Sequence, residues 1–441
     1  MLSVFITPGF PPFPPHSAIT VYNYPMISQP GTATPYRGRL ARTFSALRYP
    51  NFRLWFVGQL VSLIGTWTQG AALGYLVYEL TGSPAFLGLV SFASGVPSWL
   101  FTLVAGAIAD RLPRRTVLVW VQSAMLIFAG VTAVLIFSGQ VQPWHILVLA
   151  VLSGTANAFD APVRHSFVVE LVERKELSNA IALNAIMFNS AVVLGPALGA
   201  VIYAAFGPGW CFTINAVSFL AVIVALLLMR LAPMPPRSAH GAMLAEVGEG
   251  LRYVARDKTL RTLMLGATAA SMFGFGIMPL MPAWAVEVLG GNVTTNGLLI
   301  SARGIGSVAG ALLMASLSHR GVKGRVWLNS ALITPLALLI FSQIRWLPAS
   351  LAMMVIIGAG QMIFLNTTNS LVQEQISDDL RGRVMGLYSL VLFGSMPLGS
   401  LVAGSLAEWV SAPVAVAVGG MALLIYALLI RRTSGHMRSL K

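Results

Sequence analysis

Charge is what this chain has least of. Only 10% of its 441 residues are Asp, Glu, Lys or Arg, while 56% are hydrophobic; a soluble domain carries roughly 25% charge. That scarcity excludes a water-soluble globule of this size. The single cysteine, Cys211, excludes an internal disulfide framework and reads as a small buried side chain. Six histidines (His16, His145, His165, His240, His319 and His436) are scattered, so no metal site is expected. No Gly-rich loop ends in Lys-Ser or Lys-Thr, which removes an internal nucleotide hydrolase. Neither a cofactor nor catalysis is implied. A nucleic-acid partner would need a folded basic domain, and none is present. No basic residue precedes an apolar run near Met1, so the first residues do not read as a signal peptide.

Long hydrophobic runs are abundant. Twelve of them, most about 20 residues long and so able to cross a bilayer, alternate with short polar loops between Leu54 and Ile430; mean hydropathy is +0.77. The fourth is bounded near Trp144–Phe159 and the seventh near Leu263–Trp284. All but two of the 28 basic residues, Arg303 and Arg345, fall in the leading segment, in alternate loops and in the tail. By the positive-inside rule both termini are cytoplasmic. The formal charge of +14 is then a topology signal and an attraction toward anionic lipid.

Organisation follows from composition. Residues 1–45 open with a proline-rich stretch that reads as a disordered cytoplasmic tail, within which Met26 offers an alternative start. Residues 46–230 and 261–431 each hold six spans, and 432–441 form a cytoplasmic tail. Between the halves, 231–260 carries three prolines. An amphipathic helix follows over Met243–Val254, with Leu244, Val247, Leu251 and Val254 on one face. Gly65, Gly88 and Gly95 recur as Gly274, Gly297 and Gly304 at a constant separation of 209. Such repeats suit two bundles that rock against each other.

Local motifs sharpen that reading. At the end of the second span stands Gly106-Ala-Ile-Ala-Asp110-Arg111-Leu-Pro113-Arg114-Arg115. Gly106 permits close helix approach, and a carboxylate at Asp110 can take charge-assisted bonds from Arg111 or Arg114. That cluster is a candidate conformational gate; a stop-transfer charge group is the plainer alternative. Asp160-Ala-Pro162-Val-Arg164 closes the fourth span, where Pro162 is expected to end the helix and Asp160 and Arg164 to form the other half of a clasp. Gly195-Pro196-Ala-Leu-Gly199 lies inside the fifth span as a bend and packing site.

These motifs carry a resemblance. Gly106 through Arg115 is similar to the signature loop of the major facilitator superfamily. Tyr49–Arg53, Leu80–Pro84, Asp160–Arg164 and Leu177–Asn184 resemble the branch of enterobactin exporters and macrolide-efflux-type proteins, the transmembrane secretion effectors, and the similarity covers Ala46 to Arg431. It implies an all-α major facilitator fold, twelve transmembrane helices in two six-helix bundles, in a bacterial inner membrane. It also implies a monomeric secondary exporter of a small amphipathic molecule working by alternating access, with the bilayer as its other partner. Gly195, Pro196 and Gly199 resemble the antiporter motif, although Ala200 stands where a glycine is expected. Import, facilitation or a non-transporting receptor or scaffold are the alternatives.

Candidate cavity residues are Gln59, Thr66, Gln69, Asn184, Asn189, Arg303, Gln361 and Asn366; buried amides also join helices without touching cargo. Arg303 is the one ionisable residue inside a span, facing the cavity or snorkelling outward. No Asp or Glu lies mid-span, which counts against a proton as counter-ion; Glu79 and Asp110 are the nearest candidates for proton exchange.

Overall fold

A computed structural model describes residues 44–231, 243–317, 323–377, 380–433, 435 and 437; of these, the side chains of 102–111, 243–247 and 317 fall outside the description. Among the described residues every regular element is helical and twelve helices are long and apolar enough to cross a membrane. They are α1 (Pro50–Thr81), α2 (Pro84–Arg111), α3 (Arg114–Phe137), α4 (Pro143–Val168), α5 (Leu177–Phe206) and α6 (Pro208–Leu228). After the short α7 (Met243–Arg256) come α8 (Lys258–Val288), α9 (Val293–Leu317), α10 (Lys323–Phe341), α11 (Leu347–Glu374), α12 (Arg381–Trp409) and α13 (Ala412–Thr433).

Proline and glycine punctuate these helices where backbone chemistry favours them. Pro50 begins α1, and Gly82, at φ 60°, ends it by donating its N–H to the Tyr78 carbonyl. Gly207, at φ 88°, closes α5 and Pro208 starts α6. Pro162 does not end its helix as expected: α4 runs through it to Val168. Spanning helices tolerate an internal proline because neighbours re-satisfy the freed backbone groups. The seventh span extends past Trp284 to Val288 and is irregular, with π-helical turns at Ala270–Phe275 and Trp284–Val288. Gly274, Gly276, Pro279 and Pro282 fall in or between those turns; missing proline donors and glycine freedom disfavour a uniform α-helix there.

Each half has two apolar layers. In the first, Phe52, Trp55, Phe167 and Phe219 fill the end that carries the basic loops, called here the basic end. Leu76, Ile146 and Phe212 fill the far end, where Ala283 and Val293 of the second half join them. In the second half, Trp284 stacks on Phe341 at the far end and Trp327 on Phe364 at the basic end.

The borders of the tails and linker shift. Ser45–Arg48 forms a turn docked on the first half, with Ala46 fully buried and its N–H donated to Asn179 Oδ1 at 3.0 Å. At the other end α13 continues through Arg431 and Arg432 to Thr433, and Met437 is buried in the basic-end core. The predicted amphipathic helix forms as α7 and docks on α12: Val254 is buried, and Glu249 pairs with Arg383 at 2.7 Å. Leu251 is exposed, and Leu244 and Val247 lie outside the described side chains.

Candidate transport pathway and its far-end seal

The halves meet along two antiparallel crossings, α2 with α12 and α5 with α9. Glycines make both possible. A Cβ on Gly88 would strike the Ser400 carbonyl, and one on Gly95 would overlap Pro397 Cγ at 2.0 Å. A Cβ on Gly297 would collide with Ala200 and stand 2.8 Å from the Pro196 carbonyl oxygen, while one on Gly304 would meet Val192 and Val193 at 3.1–3.4 Å. These are two glycine pairs of the 209-residue repeat, and their partners Ser400 and Pro196, Gly404 and Ala200 are themselves 204 apart. The repeat therefore encodes two equivalent seams between the halves.

Both seams are tight in their far portions. Continuing the α5–α9 register toward the basic end brings Leu312 opposite Ala185 and Ile186, and all three are exposed. Phe393 and Leu390 of α12 are exposed in the same direction, and among the described residues nothing lies within 4 Å of where a Cβ on Gly386 would stand. The halves close at the far end and diverge toward the basic end.

Hydrogen bonds that join the halves among the described residues cluster at the closed end, and two carboxylates of the second half dominate them. Tyr78 donates its hydroxyl to Glu287 Oε1 at 2.5 Å. Glu408 Oε2 accepts from Ser83 Oγ at 2.7 Å and from the Ala85 N–H at 3.1 Å. Ser83 itself caps α2 through the Phe86 N–H, so Glu408 reaches across to the positive end of a helix in the opposite half. Asn296 adds a long bond to the Ala71 carbonyl at 3.5 Å. Sequence reasoning missed Glu287, Glu408, Tyr78 and Ser83. With Glu79, the two carboxylates are the only acidic residues at the span ends away from the basic clusters; that placement was the available signal.

Among the gate candidates, Gly106, Asp110 and Arg111 lie outside the described side chains. Arg114 binds Glu170 and the Ser166 carbonyl, and Arg115 binds the Leu227 and Met229 carbonyls. Asp160 and Arg164 do meet, at 3.3 Å, but along one helix rather than between halves. Asp160 is buried and accepts from Gln122 Nε2 at 2.8 Å, tying α4 to α3. Asp160→Ala strands both donors and is expected to cost about 1–3 kcal/mol of stability, readable as a lower melting temperature of the detergent-purified protein. Lys175 holds the Glu173 carboxyl below its usual range, but that pair is exposed and so contributes little to the fold.

Gly195 and Gly199 pack on Trp67 and Thr68 of α1, and Thr68 Oγ1 donates to the Gly195 carbonyl at 3.0 Å. Pro196 and Ala200 face Gly297 of α9. One segment thus joins α1 within its half to α9 across the seam.

The cavity candidates divide. Arg303 Nε donates to Gln361 Oε1 at 3.1 Å, and Gln361 Nε2 donates to the Gly274 carbonyl in the π-helical turn at 2.9 Å. Gln69 instead accepts from Asn215 Nδ2 at 2.7 Å, and Asn189 donates to the Ala185 carbonyl of its own helix. Gln59 Nε2 and Asn184 Oδ1 are enclosed without a partner; Thr66 is exposed and Asn366 half-buried. Glu79 accepts from the Tyr203 hydroxyl within the first half. No group of three or more His, Cys, Asp or Glu suited to a metal occurs among the described residues.

Residues 41–438 match the protein family described as transmembrane secretion effector. The multidrug efflux pump Tap of Mycolicibacterium fortuitum is 29% identical over 367 residues, covering 79% of this chain and 89% of that one. The staphyloferrin A transporter of Staphylococcus aureus is 25% identical, covering 79% and 88%. The enterobactin exporter EntS of Salmonella choleraesuis is 23% identical, covering 88% and 94%. Among solved structures, a bacterial homolog of the human lysosomal transporter Spinster, inward-facing and occupied, superposes with a TM-score of 0.70 at 15% identity over 92% of this chain and 99% of that one.

Proposed function

The chain belongs to the transmembrane secretion effector family of major facilitator transporters, and from that premise we propose that it is a secondary exporter of a small amphipathic molecule, moved outward by alternating access. It is a multi-pass membrane transporter and not an enzyme. The observation that carries the reading is the asymmetric closure: glycine seams and carboxylate bonds seal the far end, while the halves part toward the basic end. With the basic end cytoplasmic, as loop charge favours, this is a state open for loading from inside a bacterial cell. Outward direction is supported by the relatives named as efflux pump and exporter.

In this reading cargo enters between the halves, the basic ends close, and the far seams separate. The carboxylates at the seal offer a route for coupling, because a proton on Glu287 or Glu408 removes the negative charge that holds it to the other half. Glu79, bound within its own half, is a weaker candidate. Inside-out vesicles from a host lacking its own pumps, energised by respiration and offered a panel of siderophores, macrolides and dyes, test direction. Accumulation of at least one compound against its gradient is expected; efflux from loaded vesicles instead would assign an importer. Proteoliposomes under separately imposed pH and electrical gradients test the counter-ion, and flux indifferent to pH would remove the proton.

A further inference from the structure

The second half buries a cation without an anion. Arg303 stands eleven residues into α9, beside the seam glycine Gly304, and only 9% of its surface is exposed. Among the described residues no Asp or Glu pairs with it. Its neighbours are a neutral amide, Gln361, and the Phe275 ring, whose centroid lies 4.7 Å from the guanidinium carbon. A guanidinium has five N–H donors, and among the described residues Nε alone makes a hydrogen bond. The two Nη nitrogens are not among the buried polar atoms that lack a partner, unlike Ser301 Oγ and Thr334 Oγ1. The side chain does not snorkel. Gln361 holds it in place and is itself held by the Gly274 carbonyl, so a π-helical turn of α8, the middle of α9 and α11 jointly fix its direction.

A lone buried charge is costly, and a protein retains one where something else supplies the opposite sign. We propose that the Nη edge of Arg303 is an anion-binding site at mid-depth, which takes a carboxylate, or an acidic group of similar size, on the transported molecule. The planar fork matches a carboxylate in two parallel hydrogen bonds. Phe275, on the face of the guanidinium, offers apolar surface for the rest of the ligand. The inference rests on the transporter reading and narrows its cargo to amphipathic acids.

The probe is a dansylated amino acid with a free carboxylate, compared with its methyl ester, which has nearly the same shape and no charge. Both are titrated by fluorescence against the detergent-purified full chain. Wild type is expected to bind the acid about 10- to 100-fold more tightly than the ester, the range for charge-assisted bonds. In Arg303→Gln that ratio falls toward one. Arg303→Lys keeps part of it, because the charge remains and the fork does not. Melting temperature separates this role from a structural one: removing an unpaired buried cation leaves Arg303→Gln melting at or above wild type.

An equal affinity for acid and ester in wild type, a preference that survives Arg303→Gln, or a large drop in melting temperature each overturns the proposal. So does failure of both forms to bind; export of the uncharged ester from energised vesicles would then leave the transporter reading standing.

Discussion

Gly95→Leu is expected to abolish transport in a protein that still folds and inserts. A Cβ at position 95 would already overlap the Pro397 ring, and leucine adds three more carbons. Both elements are the middles of long helices, so neither backbone can retreat locally. The two residues belong to different halves, however, and the halves can separate as bodies. The strain is therefore relieved by opening the far seam, and the transporter is trapped with that end unsealed.

A reporter for this is Ala283→Cys in a Cys211→Ser background. Ala283 is fully buried in the far-end core of the opposite half, so a membrane-impermeant thiol reagent reaches it only when the seal opens. Gly95→Leu should convert slow labelling into rapid, complete labelling and reduce flux to background. Gly297→Leu, on the other seam against Ala200 and Pro196 and the repeat-related mate of Gly88, should do the same. Gly154→Leu provides the contrast. Its Cβ would strike the Ser94 carbonyl inside the first half, where no opening relieves the clash, so loss of folded protein is expected. Gly70→Ala, with nothing within 4 Å, should be neutral. Normal flux in Gly95→Leu, or labelling unchanged from wild type, would remove the far seam from the transport cycle.

How much of this was legible before the structure depends on the range of the interaction. Spans, their number and the fold class follow from hydropathy and loop charge, which are local. The repeat glycines were visible as a pattern, but the pattern does not say that Gly88 meets α12 and Gly297 meets α5, because helix pairing is set by tertiary packing. Arg303 was conspicuous as the one cation in a span, and Gln361 was on the cavity roster; their contact, 58 residues apart, was not readable. Asp160 and Arg164 show the opposite case. Position at a helix end suggested the other half of a clasp, and four-residue spacing on a helix that continues past Pro162 is what brings the two together. Glu287 and Glu408 escaped because helix-terminal carboxylates ordinarily read as solvated loop charge, and nothing local shows a donor waiting on the opposite half.

Those two carboxylates carry the second large effect. Glu287→Gln together with Glu408→Gln keeps an acceptor oxygen at each site and removes both charges. Charge-assisted bonds are about twice as strong as neutral ones, and both groups are near the surface, so each change should weaken the seal by roughly 0.5–1 kcal/mol. The sites lie on different elements and hold different donors, Tyr78 in one case and Ser83 with Ala85 in the other, so the losses should add. About 1–2 kcal/mol shifts a two-state equilibrium by roughly 5- to 30-fold toward the open seal. Labelling of Ala283→Cys should accelerate by that factor, with each single variant near the square root of it. A cysteine at Ala129, in the basic-end core of the first half, should stay protected throughout, which excludes general loosening. Faster labelling at both positions would mean lost stability, and no acceleration at Ala283 would mean that apolar packing along the glycine seams holds the far end closed without the carboxylates.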